Sequence, residues 1–184
     1  WPVVRDAISS SPEPQVMRAT FLAGVVVAGL IGTGFVGPVG PAAGVARADV
    51  QALSPFDVTN PAVGNLDPVL LAAVQQAAVA AAAEGVPMTI TSGWRSPEFQ
   101  QQLLDDAVAT YGSFAAARRF VQTPEQSRHV TGQAVDIGGP AADHWLIANG
   151  NRFGLCQTYA NELWHFELAT EPGGLCRRPL PDAS

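Results

Sequence analysis

Two short motifs, far apart in the sequence, constrain the fold most strongly because their chemistry requires them to meet. The first runs from Ser127 to Asp136 and includes His129, and the second runs from Glu162 to His165. A catalytic zinc site takes three histidine or carboxylate ligands and keeps one position open, whereas a structural zinc site is closed by four ligands, usually including thiolates. The only cysteines, Cys156 and Cys176, lie outside both motifs. The sequence therefore predicts a catalytic metal site.

The spacing within the motifs suggests a role for each side chain. His129 alone would more often be an ordinary polar residue, but Asp136 and the Glu162-x-x-His165 motif together favour a metal site. The Glu-x-x-His spacing lets one residue bind the metal while the other stands beside the open position as a base. We therefore interpret the chain as a metal-dependent hydrolase with His129, Asp136 and His165 as ligands and Glu162 as the general base.

Composition limits the remaining classes. The chain of 184 residues fits one domain with room for a leader. Its net charge of −6 and its pI near 4.9 argue against a nucleic-acid partner, which calls for a basic patch. The hydrophobic fraction of 47% is high for a soluble domain, but much of the excess lies near the N-terminus. We expect ordinary composition in the catalytic part.

The N-terminal region has the pattern of an export signal. Arg18 precedes an uncharged run over residues 19–46, and Ala46-Arg47-Ala48 has the small-x-small pattern of a cleavage site. A retained membrane anchor is the alternative, since the run approaches a spanning length. We expect residues 1–48 to be an extension with a signal peptide or anchor. Residues 49–65 would be a linker or N-terminal arm, and residues 66–184 would be the catalytic domain. The export signal predicts a secreted or cell-envelope protein that touches a membrane only through an uncleaved anchor.

Cys156 and Cys176 have three interpretations: free buried thiols, metal ligands or a disulfide. Export favours the disulfide, because oxidising compartments preserve such bonds. The bond would enclose His165 and steady the segment that carries this predicted ligand.

Hydrophobic periodicity predicts an α+β fold. Asp67 is expected to cap the first helix, which would end at Gly85. The predicted helices cover residues 68–84, 97–109, 114–121 and 141–153, and the predicted strands cover residues 88–91, 134–137, 155–159 and 163–168. In the last strand, alternation directs Trp164 toward the core and His165 toward the open face. We expect a small, mainly antiparallel sheet with the metal on one face and helices packed around it.

The paired motifs also resemble a known family. Ser127-x-His129-x-x-Gly132-x-Ala134-x-Asp136, followed by Glu162-x-Trp164-His165, is similar to the M15 metallopeptidase pattern. That family contains D-alanyl-D-alanine carboxypeptidases and dipeptidases of the VanY and VanX type. The Ser92-Gly93-Trp94-Arg95-Ser96 turn resembles the family's Ser-Gly-Tyr-Arg-Ser. The resemblance covers about residues 66–168 and implies the Hedgehog/DD-peptidase-like form of the α+β fold.

The resemblance implies roles for further residues. It implies zinc at His129, Asp136 and His165, and an Arg95 that stabilises the oxyanion formed during amide hydrolysis. It also implies substrate contacts from Ser127 and Gln100. The alternatives are a surface salt bridge for Arg95, a loop-capping role for Ser127 and a solvated helix position for Gln100.

Two positions depart from the family pattern without removing a ligand or the base. Arg128 stands where relatives often carry Glu, and Leu163 stands where they carry Pro. The implied function is an exported zinc D,D-carboxypeptidase that removes the terminal D-alanine from peptidoglycan stem peptides. The alternatives are an endopeptidase of the same family and a non-catalytic peptidoglycan-binding module, and the module would need neither Glu162 nor Arg95.

Overall fold

The structure, a computed structural model, describes residues 52–184. The predicted leader and its cleavage site lie outside these residues. Among residues 52–184, the helices are all too short or too polar to cross a bilayer.

The centre of the fold is a four-stranded antiparallel sheet with the strand order β1-β2-β4-β3. The strands are β1 (Thr89–Ser92), β2 (Ala134–Gly138), β3 (Leu155–Gln157) and β4 (His165–Leu168). Asp136 on β2 pairs with Ser92 on β1 and with His165 on β4. The register therefore brings the two motifs together, and the prediction of an α+β fold with a small antiparallel sheet is confirmed.

The helices pack around this sheet. They are α1 (Pro61–Gly64), α2 (Pro68–Ala83), α3 (Pro97–Tyr111), α4 (Phe114–Ala117) and α5 (Pro140–Asn149), with a 3₁₀ turn at Gly150–Phe153. Asp67 caps α2 as predicted, because its carboxylate accepts from the amides of Val69 and Leu70 at 2.8 and 3.3 Å. The main core joins α2 and α5 to one face of the sheet, and its largest members include Leu70, Val74, Ile90, Ile137, Leu146 and Phe166.

The segment before α2 packs against the domain instead of acting as a linker. Leu53 and Ile90 exchange two backbone hydrogen bonds of 2.8 Å, which extends the sheet beyond β1. Val63 of α1 is fully buried, and the carbonyl of Ala62 accepts from the amide of Trp94 at 2.8 Å. A single turn of helix is too short to show a hydrophobic period, so α1 has no recognisable signal in the sequence.

Other differences between the prediction and the structure concern where helices and strands end and which side chains they bury. Helix α3 buries Gln100, Leu104 and Ala107, while Phe99 is half exposed. Trp164 lies just before β4 begins, so the strand alternation does not govern it. Its side chain is 43% exposed, and the prediction of a core position is wrong.

The segment after β4 is tied back to the sheet. Cys156 on β3 and Cys176 form the predicted disulfide. Beyond it, Leu180 forms a parallel bridge with Tyr159 in the connection between β3 and β4. The residues after Cys176, in which the sequence shows no structure of their own, therefore pack against the domain.

Candidate metal centre

Three ligand atoms converge on one point beside the two central strands of the sheet, β2 and β4. Nε2 of His129 lies 3.3 Å from Nδ1 of His165 and 3.3 Å from Oδ1 of Asp136. The third side of the triangle, from Nδ1 of His165 to Oδ1 of Asp136, is 3.2 Å. All three residues are buried. The structure thus brings together the three residues predicted as ligands.

Local backbone structure carries His129 to this point. His129 lies in a turn between α4 and β2, and its carbonyl accepts from the amides of Arg95 and Gly132 at 3.2 and 3.1 Å. Gly132 has a positive φ of 71°, and a Cβ there would lie 2.6 Å from the carbonyl oxygen of Asn65. Glycine therefore permits the sharp turn that feeds β2 and places Asp136 beside His129.

The second nitrogen of each imidazole is held by a fixed partner. Nδ1 of His129 donates to the carbonyl of Gly93 at 2.8 Å. Nε2 of His165 donates to Oε1 of Glu167 at 3.0 Å. Each bond directs the lone pair of the other nitrogen toward the shared point, as the outer partners of metal-binding histidines do.

The size of the triangle fits zinc. Zinc binds histidine nitrogen and carboxylate oxygen at about 2.1 Å, so tetrahedral ligands lie about 3.4 Å from one another. The observed separations of 3.2 and 3.3 Å match that edge. Two lone pairs facing each other at this distance repel unless a cation lies between them. The donor set, two histidines and one carboxylate, is that of a catalytic zinc site with one open position.

The electrostatics of the triangle also favour a cation. Burial alone would raise the pKa of Asp136, but the neighbouring His129 and His165 outweigh it and hold that pKa far below its usual range. Burial would lower the pKa of His165, but hydrogen bonds with Asp136 and Glu167 raise it to about 9. The negative charge of Asp136 stabilises a protonated His165 and would equally stabilise a metal ion in place of that proton. Metal binding releases such protons from its ligands.

Glu162 stands beside the triangle. Its Oε2 lies 3.8 Å from Nδ1 of His165, and within residues 52–184 no group donates to its buried Oε1. Burial raises the pKa of Glu162 to about 7, and the nearby His165 opposes the shift. A carboxylate with a pKa near neutrality can both take and return a proton, which is the property that a general base needs.

Arg95 is fixed by three partners. Its guanidinium donates to Ser92 Oγ at 2.8 Å, to Gln100 Oε1 at 3.1 Å and to Asp136 Oδ2 at 2.9 Å. A guanidinium has more donors than these three bonds use. Arg95 does form a salt bridge, but with a carboxylate of the metal triangle and with only 17% of its side chain exposed. It therefore remains able to donate into the cleft.

A cleft opens over these groups. Its volume is about 220 Å³, and it is lined by Arg95, Gln100, Ser127, His129, Asp136, Glu162 and His165, with Leu103, Phe120, Val121, Gln122, Gln126, Arg128, Tyr159, Trp164 and Ala183 around them. The predicted site residues thus lie in one cleft. Trp164, which the sequence analysis directed toward the core, also lines this cleft.

Ser127 and Gln100 differ in what they can offer a substrate. Ser127 is buried at the floor of the cleft. Gln100 is also buried, but its oxygen accepts from Arg95 and its nitrogen donates to the carbonyl of Gln122 at 2.9 Å. Both ends of the Gln100 amide are occupied, so Gln100 positions Arg95. It is not the solvated helix residue that the alternative interpretation described.

The sequence analysis missed two residues that orient the histidine ligands. Glu167, which orients His165, follows it by two residues on the same strand, and this alternation is the signal that could have identified it. Gly93, whose carbonyl orients His129, carries no side-chain signal at all. The Ser92–Ser96 turn that contains Gly93 was recognised only for Arg95.

Comparison with known proteins agrees with this geometry. A family model described as VanY, D-alanyl-D-alanine carboxypeptidase, matches residues 64–172. A D-alanyl-D-alanine carboxypeptidase of Enterococcus faecalis (strain ATCC 700802 / V583) is 34% identical, over 53% of this chain and 48% of its own. The chain thus spans about half the length of that relative.

Three solved structures are similar. The vancomycin resistance D,D-pentapeptidase VanY from a VanB-type cassette, in complex with Zn(II), is 32% identical with a TM-score of 0.53, over 56% of this chain and 73% of its own. VanYB in complex with D-alanine-D-alanine is 30% identical with a TM-score of 0.52, over 55% of this chain and 70% of its own. The LD-carboxypeptidase LdcB shares the fold, at 24% identity and a TM-score of 0.51 over 58% of this chain and 60% of its own. Because the family model covers more than half of the sequence and includes every residue of the metal centre, this chain belongs to the VanY family of D-alanyl-D-alanine carboxypeptidases.

Proposed function

We propose that this chain is an exported zinc D,D-carboxypeptidase that hydrolyses the terminal D-Ala-D-Ala bond of peptidoglycan stem peptides. The observation that carries the proposal is the triangle of ligand atoms, 3.2 and 3.3 Å apart, beside a buried Glu162. The similar VanYB structure, solved with D-alanine-D-alanine, supports the substrate. The uncharged run over residues 19–46 and the Cys156–Cys176 disulfide support export.

His129, Asp136 and His165 would hold the zinc. When bound, zinc supplies Lewis-acid polarisation of the scissile carbonyl and lowers the pKa of water. The remaining chemistry belongs to side chains of this chain.

Glu162 takes a proton from the attacking water and passes it to the nitrogen of the departing amino acid. Its pKa of about 7 suits both transfers. Arg95 donates to the oxygen that becomes negative when the carbonyl carbon turns tetrahedral, and its bonds to Ser92, Gln100 and Asp136 fix the guanidinium beforehand. The hydroxyl of Ser127, a buried residue that lines the cleft, would bind the peptide.

The two alternatives differ in what they require. A binding module has no use for a buried carboxylate of raised pKa beside a fixed guanidinium, so Glu162 and Arg95 favour an enzyme. An endopeptidase would use the same catalytic groups on another bond, and only its products differ.

Product analysis tests the proposal. The zinc-loaded chain is incubated with purified sacculi and with a linear pentapeptide stem that ends in D-Ala-D-Ala, and the products are measured by mass spectrometry. We expect free D-alanine and the tetrapeptide. Release of cross-bridge fragments without free D-alanine would identify an endopeptidase, and binding to sacculi without any hydrolysis would identify a binding module.

A further inference from the structure

The segment that follows the disulfide borders the cleft, which is lined by Ala183. We name residues 177–184 the C-terminal strap; it lies beyond residue 172, where the match to the family model ends. On the sheet side, the amide of Leu180 donates to the carbonyl of Thr158 at 2.9 Å, and the carbonyl of Leu180 accepts from the amide of Ala160 at 2.7 Å. The strap is thus paired with the connection between β3 and β4, which also carries Glu162.

The far end of the strap contacts the segment that follows α4. Asp182 accepts from Nε of Arg119 at 2.8 Å, and the amide of Ala183 donates to the carbonyl of Arg119 at 3.5 Å. Arg119 follows α4 and precedes Phe120, which lines the cleft. The carbonyl of Arg119 also accepts from Nδ2 of Asn161 at 3.0 Å, so the segment after α4 contacts the β3–β4 connection directly. The strap packs along this contact, and Ala183 lines the cleft.

The size of the enclosed space sets a limit on the substrate. The cleft holds about 220 Å³, less than the range of about 300–1,000 Å³ that is usual for small-molecule sites. A linear peptide end can enter such a space with a residue or two. A stem peptide that carries a second, cross-linked stem is bulkier beside the scissile bond, and Ala183 of the strap forms part of the cleft lining.

We propose that the C-terminal strap is a specificity wall that restricts hydrolysis to linear stem peptides and excludes cross-linked ones. The proposal rests on the proposed function, because it concerns the substrate of the same site. Its latch is the Arg119–Asp182 ion pair together with the backbone pairing of Leu180. The disulfide at Cys176 anchors the start of the strap.

The latch can be altered without touching the metal centre. Neither Arg119 nor Asp182 lines the cleft, and 59% of the Arg119 side chain is exposed. Reversal of the charge on Arg119 replaces the attraction to Asp182 with a repulsion, which weakens the contact of the strap with the segment after α4.

Arg119→Asp opposes Asp182 with a like charge and tests the latch. Arg152→Asp is the matched control, because Arg152 is 53% exposed and faces Glu84 at 3.9 Å, away from the cleft. The double variant Arg119→Asp with Asp182→Arg restores opposite charges. Leu180→Pro removes the amide that donates to Thr158 and tests the backbone part of the latch independently.

The measurement is the ratio of kcat/KM for a cross-linked stem dimer to kcat/KM for the linear pentapeptide stem. We expect Arg119→Asp and Leu180→Pro to raise this ratio by about threefold or more, a change of the size that one exposed ion pair supports. The control and the double variant should keep the parental ratio. Hydrogen exchange at the amide of Ala160 reports release of the strap, since its acceptor is the carbonyl of Leu180.

Binding separates this proposal from the proposed function. The same two peptides are titrated by calorimetry into zinc-loaded Glu162→Gln chains with and without the latch variants, so that no turnover is needed. The amide of Ala160 can lose its protection from hydrogen exchange while the kcat/KM ratio and the affinity ratio for the two peptides both stay at the parental value. In that case the strap is not a specificity wall. If Ala160 stays protected in both variants, the assignment of the latch is wrong. If the parent hydrolyses neither peptide but the latch variants change the ratio of the affinities for the two peptides, the proposed function is wrong and the strap is still a specificity wall.

Discussion

At the scale of single residues, the metal centre depends on side chains that aim the ligands as well as on the ligands themselves. Glu167 fixes His165 through a 3.0 Å hydrogen bond and is half-buried beside it. We expect Glu167→Ala to weaken zinc binding by about 10- to 100-fold, the usual effect of removing such a partner. Competition with a chromogenic chelator measures the affinity. Glu171→Ala removes an exposed carboxylate nearby and should change nothing, and equal affinities for both variants would contradict the role of Glu167.

Gln100 should act on the rate through Arg95. Gln100→Ala removes the acceptor of Arg95 Nη1 and leaves the carbonyl of Gln122 without its donor. We expect kcat to fall with zinc content unchanged, by less than the roughly 10²-fold loss that removing the donor outright, in Arg95→Ala, should cause. Gln101→Ala, on the exposed face of the same helix, is the control. A parental kcat in Gln100→Ala would show that Arg95 does not need this support.

The sequence was sufficient for the residues whose type and spacing carry the chemistry. His129, Asp136 and His165 were identified because a metal site requires particular residue types at a particular spacing. Trp164 was misplaced, because the alternation of β4 was extended one residue beyond the strand. The positioning role of Gln100 depends on Gln122, which belongs to a different part of the chain, and no local pattern reveals such a contact.

At the scale of elements, the turn between the ligands His129 and Asp136 depends on Gly132. Gly132→Ala would face both a left-handed backbone, with φ at 71°, and a Cβ 2.6 Å from the carbonyl oxygen of Asn65. Gly112→Ala has the same kind of backbone, with φ at 77°, but open space around it. We expect Gly112→Ala to lose about 1 kcal/mol of stability and Gly132→Ala clearly more. Thermal melting compares them, and equal shifts would show that the close approach to Asn65 is unimportant.

The disulfide should stabilise the elements that carry His165. Cys156 and Cys176 are separated by 20 residues, and closing a loop of this size is worth about 3 kcal/mol in the chain-entropy model. We expect no free thiols in the unfolded, unreduced protein and a lower Tm after reduction. Two titratable thiols would contradict the bond and would weaken the case for export.

Elements with a full hydrophobic period were predictable and short ones were not. Helix α2 was found with its cap, because Asp67, Pro68 and a repeating apolar face agree. Helix α1 has four residues, and α4 ends at Ala117, several residues before the predicted end at residue 121. Contacts with the rest of the chain decide such elements: Val63 of α1 is buried in the main core, far along the chain from most of its neighbours.

At the scale of the whole molecule, the fold brings the two motifs together on the central strands of a small sheet. The antiparallel register of β2 and β4 sets Asp136 opposite His165, and the turn at Gly132 adds His129. The fold class followed from the sequence because few arrangements satisfy both motifs. The pairing of Leu53 with Ile90 did not follow from the sequence, because it joins segments that share no local signal.

The measurement that tests this account most directly is the zinc content and turnover of Glu162→Gln, beside the parent and Asp136→Ala. Glutamine keeps the size of Glu162 but accepts no proton at neutral pH. We expect Glu162→Gln to hold about one zinc per chain and to lose turnover on the linear pentapeptide by about 10²-fold or more. Asp136→Ala should lose both the metal and the activity. Turnover of Glu162→Gln within a few-fold of the parent would contradict the role of Glu162 as the base, and loss of zinc in that variant would make Glu162 a ligand instead.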